Sequence, residues 1–488
     1  YTTLFRSLKV ATLTPTVPTA AYRNGDFSQT INYLGTNNVG QAVKVGTHNY
    51  LDPLGNGALS GTIFDPNSTA NVICPALIGG VKPDCATGAS VPTRTAFVGN
   101  VIPVSRFDPV AVNVMKLVPL PTGTNADAGL PVGNYQVPWV SHRLSNLPSI
   151  KLDQNVGSKG HLSGYWQSTG TTAQFSFPNG SHDGLPQPMG GARGTFIYAK
   201  VVRANYDYTI TPTTVLHIGA GWNSLTFSDQ APTYQYDALK ELGLKGAILN
   251  RQVPGFITGV STVAGGMNNF GGPGQANQQE RRPSGSVNLT KVQGNHTFKA
   301  GAEWRLEKYP AQSFTNVSGS YSFFGVAANA YGNPTNVGNT SQTALNGQTI
   351  GANTQTGFGL ASFLLGGANG VSYAYPTSSS YSKQQWGLFA QDTWKVTRKL
   401  TLDYGVRWDY GTYAKEQYGR FSNFDLNTPN PSAAGHPGAA IYEQTCKCNF
   451  ASAYPYAIGP RVGIAYQINS KTVFRTGFGI VYTATGQT

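Results

Sequence analysis

The sequence predicts an all-β chain, an antiparallel transmembrane β-barrel represented in part, and three observations lead there. Apolar and polar residues alternate with period two through repeated segments. The segments come in pairs joined by short polar turns, while the stretches between pairs are long and rich in Gly, Asn, Ser and Pro. All of those long stretches fall at the same end of the strands.

Taken in order, the first pair runs from Ile150 to Val156, turns at Gly157 to Gly160 and returns from Leu162 to Trp166. The second sets Val202, Ala204, Tyr206, Tyr208 and Ile210 against Arg203, Asn205, Asp207 and Thr209, turns over Thr211 to Thr214, and returns through Leu216, Ile218, Ala220 and Trp222. In the third, Val287 and Leu289 lead through Gln293, Gly294 and Asn295 to Phe298, Ala300, Ala302, Trp304 and Leu306, with Lys299, Glu303, Arg305 and Glu307 on the other face. The fourth is the clearest. Leu400, Leu402, Tyr404, Val406, Trp408 and Tyr410 share one face, and Thr401, Asp403, Gly405, Arg407 and Asp409 the other, after a turn at Thr397, Arg398 and Lys399. The fifth passes from Val462, Ile464, Tyr466 and Ile468 through Asn469, Ser470 and Lys471 to Phe474, Phe478, Ile480 and Tyr482.

The long stretches, 168–199, 227–283, 309–383 and 411–459, discriminate between architectures. A soluble sandwich carries turn signals at both ends of its sheets, whereas an outer-membrane barrel has short periplasmic turns and long extracellular loops. Aromatic placement agrees with the barrel. Trp394 lies near a short turn and Trp386, Trp408 and Tyr410 lie near the far end, the two depths at which amphipathic rings settle in a bilayer.

Of the 488 residues only 11% are charged, while 59 are Gly and 26 are Tyr, a glycine-rich and aromatic-rich balance for a cytoplasmic enzyme. No run of apolar residues is long enough for a transmembrane helix, a test that strands escape because half their side chains are polar. The net charge of +13 invites a nucleic-acid reading, but Lys and Arg are scattered singly, with Arg281 and Arg282 adjacent, and no basic helix or RNA-binding aromatic motif accompanies them. No nucleic-acid partner is expected.

Cys74, Cys85, Cys446 and Cys448 suit an oxidising compartment and allow three pairings. A Cys74 to Cys85 link would close a small loop, whereas Cys446 and Cys448 are too close for an easy bridge, and disulfides or free loop thiols are favoured over metal, for which His436 alone is a poor partner. The His residues are dispersed and no nucleophile elbow, zinc-binding helix or Walker loop occurs, so no catalytic residue, cofactor or metal site is expected and the chain is not read as an enzyme. The glycines from Gly265 to Gly274 lack the strand and helix of a phosphate cradle and read as loop.

The segments Arg23 to Ser28, Phe64 to Pro66, Gly99 to Ala111, Phe363 to Gly366, Trp386 to Trp408 and Gly459 to Tyr466, in that order and spacing, resemble the Oar-like TonB-dependent receptors of acidobacteria and related soil bacteria. The resemblance runs from about Tyr22 onward. It implies a 22-stranded outer-membrane barrel with a plug, an N-terminal carboxypeptidase-regulatory-like module, and uptake driven by TonB, ExbB and ExbD. On that footing the chain is expected to be the middle of the receptor, with plug and N-terminal module outside it and Tyr1 to Ser7 foreign to it.

The expected organisation is a leader of uncertain origin at 1–21, a turn-rich cell-surface loop region at 22–146 and barrel strands with long extracellular loops at 147–488. Ala361 to Gly366 is expected to be a short strand or helix packed on the barrel mouth, and Tyr321, Phe323 and Phe324 to extend the strand system outward. Tyr331, Tyr373 and Tyr375 are candidate contacts for an imported ligand, and Arg203, Glu303, Arg305, Arg407, Asp409, Arg461 and Arg475 are candidates to line the lumen, with outer-membrane lipid against the apolar face. Alternatives are a passive porin or surface-adhesion barrel, and a secreted soluble β-protein that binds glycans.

Overall fold

The computed structural model describes residues 2–32, 41–45, 47–174, 184–190, 194–230, 235–261, 264–272, 276–323, 340 and 356–482. Its main feature is one antiparallel sheet in which each strand pairs with the next in sequence. The strands are β1 (Thr2–Leu13), β2 (Val137–Val156), β3 (Gly160–Gln174), β4 (Gly194–Thr211), β5 (Thr214–Gln230), β6 (Ala276–Gln293), β7 (His296–Ser313), β8 (Thr377–Lys395), β9 (Leu400–Gly411), β10 (Ala457–Asn469) and β11 (Thr472–Gly479). A two-residue strand, Lys415–Glu416, adds to β8 beside Tyr381 and Ser382.

All five sequence-predicted hairpins form, and their turns explain their register. Gln293 pairs with His296 across Gly294 and Asn295, and Gly294 sits at φ +58°, the left-handed setting that a tight two-residue turn requires at its first position. At the β4–β5 turn Thr211 pairs with Thr214 across Pro212 and Thr213, with a register shift beside it.

Alternation then sorts the side chains. Leu162, Tyr206, Ile218, Val287, Ala302, Leu388, Trp408 and Ile458 are cross-strand partners in one continuous row, as are Ser163, Asn205, Gly219, Ser286, Glu303, Gly387 and Asp409 one residue further along, on the opposite face. The first row belongs to the apolar face, where Ile218, Leu388, Ile458, Val406 and Phe478 are exposed. Among the described residues nothing packs over these side chains, which is how strands meet a bilayer: backbone groups are satisfied between strands and the side chains face lipid. Trp304, Trp386 and Tyr410 pair in one row of it, and His296, Trp394 and Leu402 in another near the short turns. Eight residues of β8 separate Trp386 from Trp394, roughly 27 Å at the usual strand rise.

Most of these strands are far longer than a membrane requires. β2 has 20 residues and β4, β6 and β7 have 18 each, against roughly 9 to 11 for a tilted span. The excess projects toward the long connections, where the fold departs from the expectation.

Four of the five long connections do not hang as separate loops; the fifth, between β9 and β10, carries a hairpin of its own, Ser422–Pro429 with Pro437–Tyr442. Those following β1, β3, β5 and β7 share one hydrophobic core that includes Val17, Tyr22, Phe27, Ile63, Ile102, Val114, Met189, Leu242, Phe256, Phe270, Phe323 and Phe363. Helices α1 (Pro109–Leu117), α2 (Ala238–Leu242) and α3 (Gly359–Leu364) contribute to it, the last with Leu360, Ala361, Phe363 and Leu364 buried, as the apolar stretch Ala361 to Gly366 predicts. Phe256 stacks on Phe270 and Tyr321 with centroids 5.0 and 5.7 Å apart and meets Phe363 edge-on at 5.9 Å.

Four of the six segments quoted for the family resemblance, those that precede Trp386, fall outside the main sheet, and their residues tie this region together. Arg23 donates to the carbonyls of Met115 (3.2 Å), Val118 (3.1 Å) and Pro119, closing the end of α1. Asp108 caps the start of α1 through the amides of Val110 and Ala111, with Pro109 in the first helical position. Asp65 takes a two-pronged contact from Arg106 at 2.8 and 2.9 Å, and the Arg106 guanidinium holds its carboxyl below the usual range. Buried Asn100 accepts from the Ile63 amide and donates to the Phe27 carbonyl. Gly25, at φ +82°, lies where a Cβ would come within 2.2 Å of the Ile102 carbonyl oxygen.

Several expectations are corrected. Residues 1–21 are not a separate leader: Thr2–Leu13 pairs with β2 from Pro148 to Val137, and β2 starts at Val137, inside the region assigned to surface loop. Of the other described residues in 22–146, Tyr22, Phe27, Ile63, Ile102 and Val114 join the cap core, while Val43, Tyr50, Ala58 and Phe64 form a second small core of their own. Tyr321 belongs to a small sheet in which Ser320–Ser322 pairs with Gly255–Ile257 and Gly370–Ser372, and Phe323 beside it is buried in the cap core, so neither extends the main sheet; Phe324 lies outside the described residues. Cys446 and Cys448 are joined with Cα atoms 5.2 Å apart, because Lys447 between them adopts φ +54° and brings the two together. Cys74 and Cys85 form the other disulfide, Cα to Cα 6.0 Å. The eleven-strand path has β1 and β11 at its edges. No helix among the described residues is long and apolar enough to cross a membrane.

Candidate functional site on the polar face of the sheet

The polar face carries a recess of about 330 Å³ spanning β4 to β9. Its lining includes Arg203, Glu303, Arg305, Arg407 and Asp409, five of the seven residues that alternation placed on this face. They meet because the register aligns them. Arg203, Gly221, Ser284, Arg305 and Gln385 are successive cross-strand partners, and Asn205, Gly219, Ser286, Glu303, Gly387 and Asp409 form the neighbouring row.

Arg407 anchors one wall. It donates from Nη2 to Glu303 Oε2 at 2.9 Å and from Nε to Asp409 Oδ1 and Oδ2 at 2.9 and 3.1 Å. One guanidinium thus answers two carboxylates, a geometry suited to its fixed fork of donors. Gly387 lies beneath it, and a Cβ there would meet Arg407 Nη2 at 2.4 Å.

Toward the cap the network continues. Arg282 pairs with Glu280 at 2.8 Å and donates to the Tyr309 hydroxyl at 3.2 Å, Tyr309 donates to Glu307 at 2.9 Å, and Lys383 reaches Glu307 at 3.6 Å. Toward the short turns, His217 Nδ1 meets Asp207 Oδ1 at 2.7 Å. Arg203 and Arg305 stand apart. Both are exposed, and among the described residues neither forms an ion pair.

Small residues floor the recess. Between Arg203 and Arg305 lie only Gly221 and Ser284; between Asn205 and Glu303 lie Gly219 and Ser286. A Cβ on Gly219 would come within 2.8 Å of Ser286 Oγ, and one on Gly221 within 2.7 Å of Ser284 Oγ. Sequence reasoning missed Gly219, Gly221, Ser284 and Ser286. The turn at Gly294 and Asn295 already fixes Ser286 opposite Glu303 and Ser284 opposite Arg305, but the β4–β5 register shift hides the alignment with Arg203.

Arg461 and Arg475 lie on β10 and β11, with Arg461 opposite Gly405 and Arg475 opposite Ala465, outside the recess. The tyrosine candidates are not brought together with it. Tyr373 belongs to the cap, its hydroxyl against those of Tyr321 and the Lys245 carbonyl; Tyr375 is exposed; Tyr331 lies outside the described residues. No group of three or more His, Cys, Asp or Glu side chains placed to hold a metal occurs among the described residues.

A family model described as "Outer membrane beta barrel domain" matches residues 2–488. No curated protein matches in sequence. Among solved structures the chain is similar to P. aeruginosa FpvA bound to heterologous pyoverdines (TM-score 0.36, 11% identity, 69% of this chain and 36% of that one), to the ferric citrate transporter FecA in unliganded form (0.35, 8%, 70% and 38%) and to BauA, the ferric preacinetobactin receptor from Acinetobacter baumannii (0.34, 12%, 70% and 42%). The chain thus spans well under half the length of each.

Proposed function

The chain belongs to the outer membrane beta barrel domain family, and from that premise we propose that it is the receptor wall of a TonB-dependent transporter of the Oar-like type. It resides in the outer membrane. The cap stands on the cell surface and captures a ligand, and the polar face lines the path by which that ligand enters. Movement along the path is coupled to TonB, ExbB and ExbD through parts of the receptor beyond this chain, and further strands close the barrel.

The observation that carries this reading is the division of the chain into two ends. Every hairpin turn is short, and the connections following β1, β3, β5 and β7 gather at the other end into one packed cap above a charged, ion-paired face. Long ordered connections held on a rigid strand scaffold are where binding residues concentrate. A family of outer-membrane barrels is generally non-enzymatic.

The test is uptake of a panel of labelled solutes by cells producing the intact protein, with and without a protonophore. Energy-coupled uptake should stop when the proton gradient collapses. Uptake that persists identifies a passive porin, and surface binding without uptake an adhesion barrel.

A further inference from the structure

We infer that the recess between β4 and β7 is a binding site for a small polyanion, held through Arg203 and Arg305. The inference deepens the proposed function and rests on it in taking the polar face as the ligand's path. Two features of the recess lead to it.

The first is charge. Arg203, Arg305 and Arg407 face Glu303 and Asp409, and both carboxylates are already engaged by Arg407. That leaves two guanidiniums without ion pairs among the described residues, each with its donors in a planar fork that matches a carboxylate or a phosphoryl group. The wall formed by Glu303, Arg407 and Asp409 does the converse: its carboxylates repel an anion that strays from the two free arginines.

The second is spacing. Arg203 and Arg305 lie on one cross-strand row, separated by β5 and β6. Three inter-strand steps place their backbones roughly 14 Å apart, a span that two extended arginine side chains close to the width of one small molecule. Only Gly221 and Ser284 occupy the row between them, so no side chain larger than a hydroxymethyl stands in the gap, and the Ser284 and Ser286 hydroxyls add donors to its floor. A ligand carrying two or more oxyanion groups fits both arms at once. Carboxylates and phosphoryl groups share this chemistry, and the probes below separate them.

The experiment uses the intact receptor in detergent micelles, its fold verified by heat-modifiable gel mobility, and titrates it calorimetrically with citrate and with pyrophosphate at low ionic strength. One-site binding of at least one of them is expected. Citrate alone marks a carboxylate ligand, pyrophosphate alone a phosphoryl ligand, and both a recess that reads charge. Arg203→Gln and Arg305→Gln should each weaken binding about tenfold or more, the double variant should abolish it, and Arg203→Lys combined with Arg305→Lys should retain part of it. Lys200→Gln removes the same charge from the opposite face of β4 and should leave binding unchanged. Wild-type binding should also weaken as salt rises toward physiological strength.

Failure of both anions to bind at millimolar concentration, wild-type affinity in the folded double variant, or binding indifferent to salt would each overturn the site. These results are separable from failure of the transport reading. Anion binding without energy-coupled uptake removes transport and leaves the recess, whereas uptake without anion binding removes the recess alone.

Discussion

The sheet and the cap are one polypeptide folded by two solvents. In the sheet, Ile218, Leu388 and Phe478 are exposed, and the strands hold through cross-strand hydrogen bonds with none of the described residues packed over these side chains. In the cap, Tyr22, Phe256 and Phe363 are almost fully buried in a core of the kind a water-soluble domain builds. The apolar face of the sheet needs lipid to be satisfied, and the cap needs only its own chain. Burial within the protein therefore locates the water-facing part of this molecule, which inverts the usual meaning of a core.

The sharpest way to break that comparison is to remove the centre of the cap. Phe256→Ala deletes a ring that touches Phe270, Tyr321, Phe323 and Phe363. A cavity of that kind costs about 3 to 5 kcal/mol, a large share of what a domain of this size holds in reserve. Limited proteolysis should cut the cap within minutes while the strands keep their heat-modifiable mobility. Loss of both together would show that cap and sheet are a single cooperative unit.

A smaller effect probes the other side. Ala390→Arg places a charge on the apolar face beside Leu388, midway between the Trp386 and Trp394 levels, where lipid-facing arginine costs roughly 2 to 4 kcal/mol. Ser286→Arg, two strands away on the polar face, adds the same charge to a watery surface and should cost far less. Urea titration in lipid vesicles measures both. Equal costs would mean that the two faces meet similar surroundings, and the membrane assignment of the Leu388 face would fail.

This comparison also explains what could be read in advance. Period-two alternation is a local signal, so the five hairpins and the side on which Arg203, Glu303, Arg305, Arg407 and Asp409 lie were legible from residue types alone. The cap was not. Its Pro, Gly and Asn residues read as loop because their partners are distant: the Tyr22 hydroxyl donates to the Ala264 carbonyl at 2.6 Å, and the Thr16 amide to Asn268 at 3.1 Å. Thr2–Leu13 was missed for a related reason, since its partner β2 lies beyond the whole cap segment. The recess needed register as well as parity, and a single shift beside the β4–β5 turn is enough to misalign Gly221 with Arg203.

The smallest predicted effect sits where the two regions meet. Glu416 lies on the short strand that extends the sheet beside Tyr381, beyond the Trp386 level, and its carboxylate accepts from Arg420 at 2.6 Å and from the amide of Tyr418 at 2.8 Å. The Arg420 contact first, then those amide donors, pull its pKa from the ordinary 4.5 down to about 2. Because the folded value is the lower one, the folded state binds fewer protons than the unfolded across that interval. The contact therefore stabilises the strand fully above about pH 4.5, and its contribution drains away as the pH falls toward 2. Hydrogen exchange at the Tyr418 and Arg420 amides should accelerate across this window beyond the intrinsic pH trend. In Arg420→Gln the carboxyl should titrate closer to the ordinary range and the amides should lose protection at higher pH. Protection that ignores pH throughout would mean that Glu416 is not what secures the outer end of β8, leaving that end held by its strand pairing alone.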